Sequence, residues 1–398
     1  MSLDRAVAEL VSGNNILLHA PGGYGKSHIL LGLKKEFGDL IELSATTGSA
    51  AVGISGRTTH SVIPGFMHGT HERMCRYANI AKRLLDMHYL VIDEVSMMSA
   101  EMFEQLDIAV RAVYKILAKK YHTSHNITRP FAGIQIILSG DFLQIPPVTG
   151  RYIFDSDLFW HMGFVKIPLT TPYRFTDAAY ADILNRIRVA EHTAADIDII
   201  RSRATTIAAV RALPIVKILA KHAQVASINN HEMGKLTATK YTSVAADKGN
   251  CAVLDDIIPV TLEYCTGARV MLRVNIAADG LSNGDIGSIT ACTPASITVL
   301  FDRGIEYTLT PMKVKRKSGD ALIARTQFPL NIAYAITIHK SQGMTFDSII
   351  VDMRDIFGTG MAYVALSRVR SLAGLHIVNF DASKFVADTA VLAAITRL

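Results

Sequence analysis

The chain has 398 residues, 49% hydrophobic and 19% charged, which gives room for two or three domains, supplies a sizeable core and excludes global disorder. A total of 41 lysines and arginines against 35 acids leaves a net charge of +6, which permits a polyanionic partner without identifying one. No run approaches the roughly 20 apolar residues of a membrane span, and MSLDRAVAEL lacks the charged-then-apolar layout of a leader, so membrane and secreted classes are not expected.

The first apolar run, Ile16 to Leu18, leads into HAPGGYGKSH. A strand that ends in a glycine turn and enters a helix points several backbone N–H groups at one small volume, which suits phosphate oxygens. Lys26 is placed to add a cation. The spacing fits the phosphate-loop pattern G-x-x-x-x-G-K-[ST], with Ala20 in the first slot and Gly25, Lys26 and Ser27 closing it. Alanine is tolerable in that slot if the backbone there does not need φ > 0. The simpler alternative is a glycine turn with Lys26 as a solvated charge, and the acidic motif further on weighs against it.

LIELSA reads as a second strand, followed by the helical SAAVGI. An insertion at about 62–88 carries Arg73, Arg76, Lys82 and Arg83 with Tyr77 among them, a mixture that suits a nucleic-acid strand and equally a solvated basic face. In YLVIDEVSMM, Tyr89 to Ile92 form the short apolar run of a buried parallel strand, with Asp93 and Glu94 at its carboxyl end. Ligands of doubly wound sheets bind at that end. Asp93 can hold magnesium through water, and Glu94 can take a proton from an attacking water.

After Ser99, a plausible N-cap, Met102, Leu106, Ala109, Val113 and Ile116 recur at spacings of three and four and predict a helix. GIQIILSGD is a further strand. In GDFLQIPPV after it, Asp141 ends the strand, Gln144 can read a γ-phosphate or its water, and Pro146 and Pro147 stiffen the exit. Alternation of this kind over residues 1–172 predicts a parallel sheet covered by helices, an α/β fold.

A second alternating unit begins near Tyr173 and is interrupted at 241–322 by short β-type runs between glycine turns, which predict a small all-β insert. Its end gathers Lys313, Lys315, Arg316 and Lys317, either a solvated loop or a phosphate contact. Helix-and-strand texture then resumes to residue 398. Two arginines are candidates for stabilising charge on a γ-phosphate: Arg174 in LTTPYRF and Arg368 in YVALSRVRS, the latter on a predicted final helix Met361 to Val369. An arginine on so apolar a helix needs a polar destination. Cys75, Cys251, Cys265 and Cys292 form no C-x-x-C and read as reduced thiols.

APGGYGKS, TTGSAAVGISGRTTHS, VIDEVSMM, GDFLQIPPV, LTTPYRF, AYAITIHKSQGMTFD and YVALSRVRS, in that order, resemble the helicase motifs of superfamily 1, in its Pif-one and RecD-like branch. GARVMLRVNIAADGLSNGDIG resembles the stretch leading through that branch's SH3-like insert. The resemblance implies two RecA-like parallel-sheet domains, at 1–172 and at 173–240 with 323–398, and an SH3-like insert in the second at 241–322. It implies an ATP-dependent helicase that moves 5′ to 3′ on single-stranded DNA and unwinds forked duplex in replication, repair or recombination. ATP would sit at the cleft between the two sheet domains. Such a protein would be intracellular, at sites of DNA metabolism, with a monomeric core activity and no accessory domain beside it.

Carried over by position, the resemblance gives Pro21, Gly22, Gly23, Tyr24, Gly25, Lys26 and Ser27 to the phosphates and Ser27 and Asp93 to Mg2+. It makes Glu94 the base and Gln144 the γ-phosphate sensor, with Arg174 and Arg368 as fingers from the second domain and Gln342 and Gly343 near the nucleotide. Thr47, Gly48 and His60 match one DNA-contacting motif, and His339, Lys340 and Ser341 match a later one. The sequence departs from the pattern at Leu3, where an adenine-reading glutamine would stand, and at Tyr24, which implies a bulkier upper face to the loop.

Overall fold

The computed structural model describes residues 2–63, 78–122, 126–211, 213–255, 257–276, 279–318 and 321–398. The chain forms two compact units, the first built chiefly from Met1–Phe175 and Ala387–Leu398, the second from Thr176–Lys317 and Ala321–Val386.

In unit 1, strands β1 (Ile16–His19), β2 (Ile41–Ala45), β3 (Arg57–Thr58), β4 (Tyr89–Asp93), β5 (Gln135–Gly140) and β6 (Val165–Lys166) make one sheet in the order β3-β2-β4-β5-β1-β6. Every pairing is parallel, with Ile16 opposite Ile137 and Leu90 opposite Ile136. Strands this short and apolar are buried on both faces, which is why they lack the alternation of a half-exposed strand. The helix Lys26–Phe37 covers the sheet with Ile29, Leu30 and Leu33, and the helix Ser2–Val11 joins the same core through Ala6 and Leu10. The helix after Ser99 runs Ala100–Tyr121, and the Ser99 hydroxyl accepts from the Met102 N–H at 3.2 Å. Leu106, Ala109 and Val113 are buried on it, while Met102 and Ile116 sit at its half-buried margin.

Arg83, grouped in the sequence with a basic face, has a structural destination instead. Its guanidinium lies 3.0 Å from Glu42 and donates to the Val62 carbonyl, pinning the helix Ala78–Asp86 beside β2. Lys82 is exposed. Arg73, Cys75, Arg76 and Tyr77 lie outside the described residues.

Unit 2 holds a four-stranded parallel sheet, ordered Ala335–Thr337, Val216–Leu219, Ile349–Asp352, Leu375–Val378. Between Val216–Leu219 and Ala335–Thr337 the pairings among the described residues are antiparallel. Five strands order as Glu306–Leu309, Ile297–Phe301, Ile286–Cys292, Arg269–Leu272, Leu330–Ile332, around a core that includes Val270, Val299, Phe301 and Phe328. The antiparallel strands therefore continue to Ile332. Buried Arg325 explains part of that extension: it binds both Asp247 oxygens at 2.8 and 2.7 Å and Asp255 at 2.7 Å, tying the strand Ala321–Gln327 to Ala246–Lys248. Lys313 and Lys315 are exposed, and the side chains of Arg316 and Lys317 lie outside the description. Cys251, Cys265 and Cys292 are free thiols. Among the described residues no helix is long and apolar enough to cross a membrane.

Candidate nucleotide site

The sheet order makes β4, β5 and β1 neighbours, so their carboxyl ends bring together three segments far apart in sequence. These are the glycine loop after β1, the Asp141–Gln144 turn after β5, and Asp93 with Glu94 at the end of β4. The Ala20 N–H donates to the Gly140 carbonyl at 3.2 Å and fixes the loop's start to β5.

Positive φ falls on Gly23 (87°) and Gly25 (81°), whereas Ala20 lies outside the described positive-φ residues, so the imperfect first slot carries no backbone penalty. Two close approaches add to the need for glycine. A Cβ on Gly23 would fall 2.5 Å from the Arg174 Cβ, and one on Gly25 would fall 3.0 Å from the Tyr173 ring. Gly25 caps the helix whose first residues are Lys26 and Ser27, and Ser27 is exposed in that first turn. The Lys26 ammonium donates to Ala20 O at 2.7 Å and Pro21 O at 2.9 Å. Burial lowers its pKa below the ordinary lysine value, while Asp141, Glu94 and Asp93, in that order, oppose the fall and Arg174 adds to it. Lys26 is thus the point on which three carboxylates and one guanidinium converge electrostatically. Tyr24 is buried. Leu3 packs against Gly32 of the helix Lys26–Phe37.

Asp93 is buried, and its Oδ1 accepts from the Ser139 hydroxyl at 2.7 Å. Burial and then the neighbouring Glu94 charge push its pKa up to about 6, against the Ser139 hydrogen bond and Lys26. Glu94 sits in the left-handed region (φ 53°, ψ 46°), a conformation costing a non-glycine residue on the order of 1 kcal/mol. The Thr46 hydroxyl and the Met97 N–H, at 2.9 and 3.1 Å from the Glu94 carbonyl, hold that turn. Gly140 lets the two acid-bearing strand ends approach, since a Cβ there would lie 2.9 Å from the Val95 nitrogen.

On the third segment Asp141 is fully buried, 3.7 Å from His19 Nε2, and the His19 ring stacks on Phe142 at 5.2 Å. His19 was not singled out by sequence reasoning; its only signal was a polar residue closing a fully apolar strand. Gln144 is buried, and its Oε1 has no hydrogen-bond partner among the described residues. An orphaned acceptor in a buried site awaits a donor.

Arg174 clusters with unit 1, contrary to its expected origin in the second domain: its N–H and that of Tyr173 both donate to Gly23 O, at 3.1 and 2.8 Å. Thr47 caps the short helix Gly48–Gly53 after β2, its hydroxyl accepting from the Ala50 N–H, and His60 is exposed nearby in sequence on a single 3-10 turn.

Unit 2 carries the remaining predicted residues. Arg368 is not on a helix: the segment Met361–Leu366 ends before it, and Thr389–Arg397 is a later helix. Its polar destination is the interior of unit 2, where it donates to Val364 O (2.7 Å), Ser341 O (3.2 Å), Met344 O (3.4 Å) and the Ser367 hydroxyl (2.6 Å). His339 and Lys340 are half-buried in the turn Ile338–Ser341. Ser341 does not present its side chain for DNA contact; it is fully buried and donates to Ile338 O at 2.7 Å. Gln342 is buried, and Gly343 is exposed with φ 79°.

Residues 3–182 match the family model described as PIF1-like helicase. The chain is 31% identical over 412 residues to an ATP-dependent DNA helicase PIF1 of Danio rerio, an alignment covering 98% of this chain and 62% of that protein. It therefore spans less than two thirds of this curated relative's length. A crystal structure of Bacteroides sp Pif1 in complex with ADP-AlF4 superposes with a TM-score of 0.81 at 27% identity, covering 100% of this chain and 96% of that one. A structure described as the basis for DNA unwinding at forked dsDNA by two coordinating Pif1 helicases gives 0.74 at 29% identity, with the same coverage. The parallel-sheet α/β core is what this chain shares with these two structures.

Proposed function

We propose that the chain belongs to the PIF1-like helicase family and is an ATP-driven DNA helicase that translocates 5′ to 3′ on single-stranded DNA and opens forked duplex. The observation that carries the proposal is that the loop bearing Lys26, the pair Asp93 and Glu94, and the turn Asp141–Gln144 stand at the carboxyl ends of three adjacent parallel strands, with Arg174 held to the same loop at Gly23 O. A structural glycine turn has no use for such a charge cluster.

In this reading the loop N–H groups and Lys26 bind the phosphates, Lys26 leaving the Ala20 and Pro21 carbonyls to do so. Glu94 accepts the proton of the attacking water, and its strained, doubly hydrogen-bonded turn fixes where that carboxylate stands. Gln144 positions the water or reads the γ-phosphate with its unsatisfied Oε1. Arg174 neutralises charge developing on the phosphoryl group, and Arg368 is assigned a second such role by family pattern. The site also fits Mg2+: the hydroxyl of exposed Ser27 and the Asp93 carboxylate are the hard oxygen donors it prefers, and it would offset phosphate charge there. Thr47, Gly48, His60, His339 and Lys340 are assigned to DNA backbone contacts, which carry no sequence preference. Each copy of the chain is assigned a complete core activity.

The test is ATP turnover with and without oligo(dT), together with strand displacement on forks bearing a 5′ or a 3′ tail. DNA-stimulated turnover with unwinding from the 5′ tail is expected. Stimulated turnover without displacement would reassign the protein as an ATP-dependent nucleic-acid switch, and active-site titration on the fork counts the copies at work.

A further inference from the structure

The parallel register sets His19, the last residue of β1, beside Gly140, the last of β5, so the imidazole stands where the Asp141–Gln144 turn begins. It meets the first two residues of that turn. Its Nε2 lies 3.7 Å from Asp141 Oδ1, and its ring stacks on Phe142 with centroids 5.2 Å apart and planes inclined by 22°. Phe142 is backed edge-on by Phe154 at 5.8 Å and Phe159 at 6.2 Å, both buried, so the surface that His19 leans on is itself fixed.

The rest of the turn hangs from Asp141. The Leu143 N–H donates to Asp141 Oδ1 at 3.2 Å, and the Gln144 N–H donates to Asp141 O at 3.0 Å. Wherever Asp141 stands, Gln144 and its buried Oε1 follow. A fourth apolar residue after Ile16, Leu17 and Leu18 would fill the strand end without the cost of burying an imidazole, and it would leave the buried Asp141 carboxylate without that neighbour. Asp141 is also the strongest electrostatic attraction on Lys26. When Lys26 turns from Ala20 O and Pro21 O to the phosphates, that cation moves, whereas His19 stays on a strand paired along both edges.

We propose that His19 is a positioning residue for ATP hydrolysis: it grips the Asp141–Gln144 turn by its first two residues and so sets where Gln144 meets the γ-phosphate. The inference rests on the ATP-turnover reading of this site and adds a residue that no motif of the chain assigns.

Steady-state ATP turnover at saturating oligo(dT) tests it. His19→Phe keeps a ring against Phe142 and removes the nitrogen facing Asp141, so kcat is expected to fall about tenfold while the KM for ATP, set by the loop and Lys26, stays within about twofold. His19→Gln returns an N–H near the Nε2 position and is expected to recover kcat to within about threefold of the parent. Because His19 acts through Gln144, adding His19→Phe to Gln144→Ala should slow turnover by less than about twofold. His19→Asn, polar but one bond too short to reach Asp141, should lose kcat as His19→Phe does, and it carries the test if the phenylalanine variant does not fold. Parent-like kcat in both His19→Phe and His19→Asn would overturn the inference. So would equal losses in the glutamine and phenylalanine variants, or a full loss that persists on the Gln144→Ala background, since each describes a residue that only fills space. A parent chain that does not hydrolyse ATP would instead overturn the helicase reading and the inference with it.

Discussion

Arg174 lies directly over Gly23: its N–H donates to the Gly23 carbonyl at 3.1 Å, and a Cβ on Gly23 would come within 2.5 Å of the Arg174 Cβ. The glycine is needed twice, for its φ of 87° and for this approach. Gly23→Ala should therefore displace Arg174 from the loop, lowering stability by about 2 kcal/mol and raising the KM for ATP. Thermal unfolding and steady-state kinetics check both, and an unchanged KM would detach Arg174 from the nucleotide.

Lys26→Ala should abolish turnover while leaving much of the oligo(dT) affinity, because the residues assigned to DNA lie on other elements. Normal hydrolysis by that variant would remove the phosphate-loop assignment.

Glu94→Gln should still bind ATP and hydrolyse it about 10² to 10⁴ times more slowly, the usual worth of a positioned general base. Single-turnover kinetics separate the two steps, and undiminished chemistry would reject Glu94 as the base.

Asp93 supplies a prediction about stability and pH. Its folded pKa, pushed up to about 6, lies above the ordinary carboxylate value of 3.8, so between those values the folded state binds more protons than the unfolded one. Stability accordingly falls as pH rises through that window, and the ionised carboxylate costs about 3 kcal/mol above it. Asp93→Asn keeps an acceptor for the Ser139 hydroxyl and removes the charge. It should raise the melting temperature at pH 7.5, make little difference near pH 4, and impair turnover at both. A variant no more stable than the parent at pH 7.5 would show that Asp93 is not held at such a cost.

Arg174 and Arg368 should separate by readout. Arg368→Ala removes a buried donor shared by three backbone carbonyls of unit 2, of which Val364 O keeps the Ser367 hydroxyl and Ser341 O keeps the Met344 N–H, so it should cost about 2 kcal/mol of stability besides any loss of turnover. Arg174→Ala should lower turnover about 10³-fold with a stability change within about 1 kcal/mol. Equal melting temperatures for the two variants would contradict the buried hydrogen-bonding role of Arg368.

What the sequence made legible is what local pattern dictates. The loop from Pro21 to Ser27, the acids closing β4 and the Ser99 cap depend on short-range spacing, and the structure forms each as read. The surprises are pairings over long separations. Nothing near Arg83 points to Glu42, nothing near Arg325 points to Asp247, and the burial of Ser341 and Arg368 depends on how distant segments of unit 2 fold together. Motif position suggested a ligand for those two residues, and packing supplied an internal partner for each.

The last segment of the chain, Ala387–Leu398, returns to unit 1, where Asp388 accepts from the Tyr152 hydroxyl at 2.5 Å and the Arg397 guanidinium sits 4.0 Å above the Trp160 ring. The polypeptide thus leaves its first unit near Phe175 and re-enters it near Ala387, making the second unit an excursion with both ends spliced into the first. A protease nick at either splice would part the chain into two fragments held together by the packing of Ala387–Leu398 within the first unit, and truncation at residue 386 would strip a helix from that unit.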